Sequence, residues 1–304
     1  MSSSRRSFLR NLALSAAALA MPKSLDASSV LAAIAPADRE RLAAWLRTLQ
    51  RDGLASPRAP LGRAVARVGE LALGTPYKAF TLNEYLAGGG PVPAHEPVTA
   101  YLTVFDCVTL VESTLAVARA SATPGAGWDD FVREIERMRY RGGARSGYAS
   151  RLHYWSEWIS DNAARGLVRD LGPELGAVED RRPLRFMTTH RASYPALRDD
   201  AVFADIAAME RRLDAQPRHL VAKEHIPAVM DRIQTGDVLG FACSIEGLDC
   251  THTGLAYRDR AGVLRVLHAP LSGGEVQISR GTLPEYVAGL RSGTGILVAR
   301  PLRG

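Results

Sequence analysis

The hydrophobic period changes once along the chain, near Gly236, and that change restricts the fold more than any other feature. Before it, apolar residues recur at helical spacings of three and four, as in Leu42, Trp45, Leu46 and Leu49. Val108, Val111, Leu115 and Ala118 form a second such stripe. After Gly236 the pattern shortens to runs of strand type, Asp237–Cys243, Cys250–Tyr257, Val263–Ala269 and Val276–Ser279. Asp259-Arg260-Ala261-Gly262 reads as a hairpin turn between the second and third runs. A short helix near Leu283–Leu290 and a strand over Ile296–Arg300 follow. Helices first and antiparallel strands second predict an α+β fold rather than an alternating α/β one.

Within the helical part, Asp38 is placed to cap the first helix, and Pro60 opens a second that runs to about Leu73 and closes at Gly74. A third begins near Cys107, after a turn-rich stretch containing Gly88-Gly89-Gly90-Pro91-Val92-Pro93. Further helices are expected over Trp128–Met138, His153–Ala164 and Phe203–Leu213. The length of 304 residues suits one elaborated domain. We expect a single catalytic domain over 28–304, carrying a helical insertion at about 124–232.

Residues 1–27 read as an address and a linker. Arg5-Arg6-Ser7-Phe8-Leu9 precedes a mild apolar stretch ending in Ala18-Leu19-Ala20, the order of charged head, apolar centre and small-residue cleavage site. The paired arginines resemble a twin-arginine export signal, which implies the twin-arginine translocation machinery as a partner and a periplasmic location. Cleavage is expected after Ala20, with Ala27 as the alternative. No apolar run approaches the roughly 18 residues of a membrane-spanning helix, so no membrane association is expected after cleavage. The net charge of +6 raises the question of nucleic acid. Lysine occurs only at Lys23, Lys78 and Lys223, and the arginines are scattered through amphipathic segments. Solvated helix faces account for that pattern, and no nucleic-acid partner is expected.

The chain has three cysteines, so at least one is a free thiol. Cys107 stands where a loop becomes a helix, and unpaired N–H groups there favour a thiolate. A free cysteine is more often a small buried apolar residue, so position alone does not assign it chemistry. The histidines add to the case. His252 and His268 flank the predicted hairpin with Arg260 midway between them, which sets the two imidazoles on one face as neighbours. One could take the thiol proton while the other fixes its tautomer.

At these residues the chain resembles the papain-like NlpC class of peptidoglycan cysteine hydrolases. The matches are Asp106-Cys107, His252-Thr253-Gly254 and His268, with Leu73-Gly74-Thr75-Pro76-Tyr77 ahead of the nucleophile. More narrowly it resembles the N-acetylmuramoyl-L-alanine amidase-like subfamily. That resemblance rests on Phe105 to Glu112, Ser150-Arg151-Leu152-His153-Tyr154, Gly236-Asp237-Val238 and Gly247 to His252. It implies a papain-like fold, with the cysteine-bearing helix packed on a small antiparallel sheet and a Cys107-His252-His268 triad. It also implies cleavage between the muramic acid lactyl group and L-alanine in peptidoglycan fragments, preferably 1,6-anhydro-muropeptides. No cofactor or metal is implied. Tyr77 and Asp106 are expected at the substrate cleft, and Arg141, Arg151 and His153 are exposed candidates for substrate contact from the insertion. Arginines there suit the carboxylates of a peptide stem or serve as structural ion-pair partners.

Three other readings stay open at this stage. An endopeptidase would cut a γ-D-glutamyl bond with the same machinery. A zinc hydrolase could use Cys243, Cys250, His252 and His268, although the spacing is not a common zinc pattern. A non-catalytic muropeptide-binding module would keep only the cleft. Cys243 and Cys250 flank the loop Ser244–Asp249 between paired strands, which makes a disulfide between them an expectation in an oxidising compartment.

Overall fold

A computed structural model describes residues 36–303. The expected export signal and its cleavage positions lie outside the described residues. Five helices come first: α1 (Pro36–Arg51), α2 (Leu61–Leu71), α3 (Cys107–Ala120), α4 (Trp128–Arg139) and α5 (Trp155–Ala164). Three short strands follow, β1 (Val168–Asp170), β2 (Val178–Asp180) and β3 (Arg218–Ala222), with α6 (Asp200–Asp214) lying between β2 and β3. The C-terminal part supplies β4 (Val238–Cys243), β5 (Cys250–Arg258), β6 (Leu264–His268), β7 (Gln277–Ile278), α7 (Leu283–Ala288) and β8 (Gly293–Pro301).

The strands form one antiparallel sheet in the order β2-β3-β8-β4-β5-β6-β7, with β1 also paired to β8. The sheet is buried on both faces. Leu110, Val111 and Leu115 of α3 share one core with Val238, Leu255 and Leu267 on the strands. The other face carries Leu239, Phe241, Ala256 and Val266, covered by Leu283 and Val287 of α7. Alternate residues of β4 and β5 therefore feed different cores, which is the two-residue period of a strand made visible. A third cluster, including Tyr148, Tyr154, Phe186 and Met209, holds the middle segment together.

That middle segment departs from expectation. The insertion at 124–232 is not purely helical, because β1, β2 and β3 lie within it and extend the sheet. These strands are three to five residues long and too short to show a period. Asp38 also behaves differently: it lies inside α1, buried, and its Oδ1 accepts from the Leu102 and Thr103 N–H groups at 2.7 and 2.8 Å. The carboxylate ties α1 to the loop before α3 instead of capping a helix. Gly236 shows why glycine opens the sheet region. Its φ is +89°, and a Cβ there would meet the Gly62 oxygen at 2.0 Å. No helix among the described residues is long and apolar enough to cross a membrane.

Candidate active site

The position of Cys107 is set by a helix cap. Asp106 is extended and accepts from the Thr109 N–H at 2.8 Å, while the Thr109 hydroxyl accepts from the Asp106 N–H at 2.9 Å. The box fixes the first turn of α3 and leaves the Cys107 N–H without a partner among the described residues. Asp106 Oδ1 is thus committed to the cap, while Oδ2 lies near the Thr81 hydroxyl at 3.4 Å. The segment ahead of it runs beside the cap: Lys78 N–H donates to the Phe105 oxygen at 2.8 Å, and Tyr77 forms a bridge with Phe105. Tyr77 is half-buried, and burial together with the nearby Cys107 and Asp106 pushes its phenol up.

The sheet brings the two histidines together. His252 Nε2 lies 2.9 Å from His268 Nδ1, with the rings edge to face. The register differs from the expected one. Arg258 pairs with Leu264 and Leu255 with Leu267, so the hairpin is centred on Ala261 and His268 lies opposite Gly254. The imidazoles meet diagonally, still on one face. Gly254 permits this, because a Cβ there would sit 3.1 Å from His268 Cβ and 3.0 Å from the Leu267 oxygen. Phe241 of β4, paired with His252, stacks on it at 5.6 Å. A register shift between Phe241 and Ala242 bends the strand pair at this point.

Tyr286 on α7 completes the cluster and had no signal in the sequence. Its ring packs edge-on against Phe241 and His268, and its hydroxyl lies 3.3 Å from His268 Nδ1. Thr253 was part of a quoted motif but had no assigned role. Its hydroxyl donates to the Cys107 carbonyl at 2.9 Å and so docks α3 on β5. Thr253 and His252 are successive residues of β5, and the bond that docks α3 is made by Thr253. No hydrogen bond joins Cys107 to His252 among the described residues, whereas a contact within about 4 Å was expected from the usual looseness of unliganded sites.

The electrostatics follow from burial. The Cys107 thiol is pushed up to about 12 by burial, with Asp106 adding to it, while donors at Thr253 and the Val108 N–H pull the other way. The helix start therefore does not deliver a resting thiolate; desolvation outweighs the dipole. His252 is lowered to about 3 by burial and by the neighbouring His268, and His268 to about 4 by burial. At neutral pH the resting groups are a thiol and two neutral imidazoles.

The insertion candidates have other employment. Arg141 makes a forked ion pair with Glu157 at 2.7 and 3.1 Å and donates to the Ala149 oxygen. Arg151 is buried at 5% exposure, against expectation; it pairs with Glu96 at 3.2 Å and donates to the Leu82 oxygen and Asn83 Oδ1. His153 is half-buried and its ring lies tilted against that of Tyr148 at 4.5 Å, and its Nε2 donates to the Tyr148 carbonyl at 2.9 Å. Burial holds His153 well below the usual imidazole range. Arg151 thus braces the segment that precedes α3, whereas Arg141 and His153 are tied to residues 148–157 of the insertion itself. Cys243 and Cys250 are both free thiols. The bulge pairs Cys250 with Ala242, which sets Cys243 out of register, and its thiol donates to the Leu248 oxygen at 3.7 Å. The expected disulfide is absent. Among the described residues, no group of three or more His, Cys, Asp or Glu side chains is placed to hold a metal ion.

Comparison with known proteins supplies the class. An N-acetylmuramoyl-L-alanine amidase-like family model matches residues 67–295. A solved N-acetylmuramoyl-L-alanine amidase from Bacteroides uniformis is 28% identical, with a TM-score of 0.73 over 80% of this chain and 99% of its own. A Bacteroides fragilis structure bearing the name of a xylanase is 31% identical, with a TM-score of 0.69 over 77% of this chain and 99% of its own. A Legionella pneumophila protein at 18% identity shares the fold, with a TM-score of 0.64 over 89% of this chain and 96% of its own. No curated protein matches. Fold and matches define a hydrolase of the peptidoglycan-related kind. The chain belongs to the N-acetylmuramoyl-L-alanine amidase-like family.

Proposed function

We propose that the chain is a cysteine amidase that cleaves the bond between the lactyl group of N-acetylmuramic acid and L-alanine in peptidoglycan fragments. The observation that carries this reading is the His252–His268 pair at 2.9 Å across β5 and β6, with Thr253, next to His252 on β5, holding the carbonyl of Cys107 at a helix start. His252 Nε2 is engaged by His268, which leaves Nδ1 as the base. As the Cys107 sulfur attacks the lactyl carbonyl carbon, its proton passes to His252 Nδ1, and the contact between them closes with substrate bound. The Cys107 N–H faces the developing oxyanion, with a second donor from the Tyr77 region. Collapse breaks the C–N bond, and the imidazolium returns the proton to the departing L-alanine nitrogen. Water then hydrolyses the thioester and regenerates the thiol.

Neutral resting groups make this a concerted base mechanism rather than attack by a preformed thiolate. A glycosidase reading would instead need two carboxylates across the cleft, and the carboxylate nearest Cys107 in sequence, Asp106, is committed to its cap. We assign 1,6-anhydro-muropeptides as the preferred substrates and the periplasm as the location, reached by the twin-arginine route from residues 1–27. The test is mass spectrometry of anhydro- and reduced muropeptides incubated with the protein. The expected products are a lactyl-ended sugar and a peptide beginning with L-alanine, formed faster from the anhydro substrate. A cut at the γ-D-glutamyl bond would reassign the chain as an endopeptidase. For location, a reporter fused to residues 1–27 should be exported, and Arg5→Lys with Arg6→Lys should block it.

A further inference from the structure

The two histidines face each other through one nitrogen apiece, so a single proton decides which of them can act. If it sits on His252 Nε2 and is donated to His268 Nδ1, the Nδ1 of His252 is left bare and can receive a thiol proton. If it sits on His268 Nδ1 and is donated to His252 Nε2, neutral His252 must carry its own proton on Nδ1 and cannot serve as base. Nothing in the pair itself distinguishes the two states. The third group at the junction does. The Tyr286 hydroxyl lies 3.3 Å from the same His268 Nδ1 that His252 Nε2 contacts at 2.9 Å. This is the one hydrogen-bond contact of that hydroxyl among the described residues.

We propose that Tyr286 is a positioning residue that locks the tautomer of the histidine pair, by donating its O–H to His268 Nδ1 and so keeping that nitrogen an acceptor. Tyrosine O–H can donate only to a bare nitrogen. With a proton on His268 Nδ1, the Tyr286 oxygen could only accept, and its hydrogen would have no protein acceptor within reach among the described residues, which disfavours that state. With Nδ1 bare, both Tyr286 and His252 Nε2 donate to it in a three-centre bond, and His252 Nδ1 becomes the free base. The phenol stays protonated in this role, since burial pushes it up to about 12. The ring is held in place independently of the hydroxyl, edge-on to Phe241 at 5.0 Å and to His268 at 4.9 Å. Its place on α7 is fixed by the capping box of Thr282 and Glu285.

This assignment rests on the proposed role of His252 as base, and its test has a readout that does not. The decisive variant is Tyr286→Phe, which keeps the ring contacts and removes one O–H. Imidazole ¹⁵N spectra of the histidine-labelled full chain at neutral pH report which ring nitrogens carry protons. In the wild type, His252 Nδ1 should be unprotonated and Nε2 protonated; in Tyr286→Phe the two should move toward a mixture. Activity on the muropeptide substrate should fall about three- to tenfold in kcat with KM unchanged, the size of one lost hydrogen bond. Wild-type spectra with His252 Nδ1 protonated overturn the proposal, and so does a Tyr286→Phe variant whose histidine signals do not move, whatever its rate. If instead Cys107→Ala retains activity, the cysteine reading falls while the tautomer measurement stands by itself.

Discussion

Two regions of this molecule bury ionisable groups and treat them in opposite ways. In the insertion and the helices it covers, the buried arginines Arg139 and Arg151 meet carboxylates, while Arg119 on α3 is held by the Leu167 and Leu302 carbonyls. Arg139 pairs with Glu112 at 2.7 Å, both 2% exposed, and Arg151 pairs with Glu96, which also accepts from the Tyr85 and Tyr140 hydroxyls. At the candidate site, Cys107, His252 and His268 have no opposite charge beside them, and burial drives all three to their neutral forms. Low dielectric is common to both; the partner differs. Charges that are paired can only hold the structure, because moving a proton there would orphan the partner. Neutral groups that share one hydrogen-bond junction can exchange a proton without creating an isolated charge.

The largest expected effect tests the neutral region. Cys107→Ala should lower muropeptide hydrolysis by about 10⁴-fold or more while leaving the melting transition in place. The tie between α3 and β5 runs from the Thr253 hydroxyl to the Cys107 backbone oxygen, which the substitution keeps. Full activity in that variant would remove the site from the mechanism and with it the contrast. Next comes the paired region. Arg139→Met strands a buried Glu112 and should cost about 3–5 kcal/mol of stability in urea unfolding. Rate per folded molecule should stay unchanged. Replacing Glu112 and Arg139 together by apolar residues should recover most of the loss; if it does not, the pair contributes through more than mutual neutralisation.

The third effect is a pH dependence. His252 and His268 have folded values of about 3 and about 4, below the usual value near 6.5. For a histidine lowered on folding, the unfolded chain takes up the proton first. Its contribution is therefore full above about 6.5 and is lost as pH falls toward 4 and 3. Urea midpoints should drop over that window, and less so when both histidines are replaced by Gln. The acid limb of kcat/KM should lie well below 6.5, because His252 stays a bare base there. An acid limb at 6.5 would mean that the imidazoles are solvated, contrary to their packing on Phe241.

How much of this was legible beforehand depends on whether the signal was local. The helix at Cys107, the hairpin turn at Asp259–Gly262 and the shared face of the two histidines follow from caps, turn residues and alternation, all written within a few residues. The turn's centre was one residue from expectation, which moves the pairing by two, because it depends on how Asp259 folds back, its Oδ1 accepting from the Ala261 and Val263 N–H groups. Arg141, Arg151 and His153 read as exposed because helical periodicity shows which face is apolar and not what will later cover the polar one. Their partners Glu157 and Glu96, and the three short strands of the insertion, are tertiary facts. So is Tyr286, an unremarked residue of a short helix until α7 packs over β6. The thiol was misjudged for a related reason: the helix dipole is visible in sequence and the depth of burial is not.

The smallest effect asks whether pairing without burial carries the same energy as the buried pairs. Arg67 on α2 also pairs with carboxylates, Asp52 at 2.7 Å and Glu70 at 2.9 Å, distances like that of Arg139 to Glu112. The difference is solvent, since the Arg67, Asp52 and Glu70 side chains are about one-third exposed. Water stabilises either partner when the other is removed, and ions screen what remains. Arg67→Ala should therefore cost less than about 1 kcal/mol, and adding salt should shrink that cost further. Arg139→Met should keep its penalty at the same salt concentration. A loss at Arg67 as large as the one at Arg139 would show that pairing geometry sets the energy, and the distinction between paired and neutral burial would need another cause.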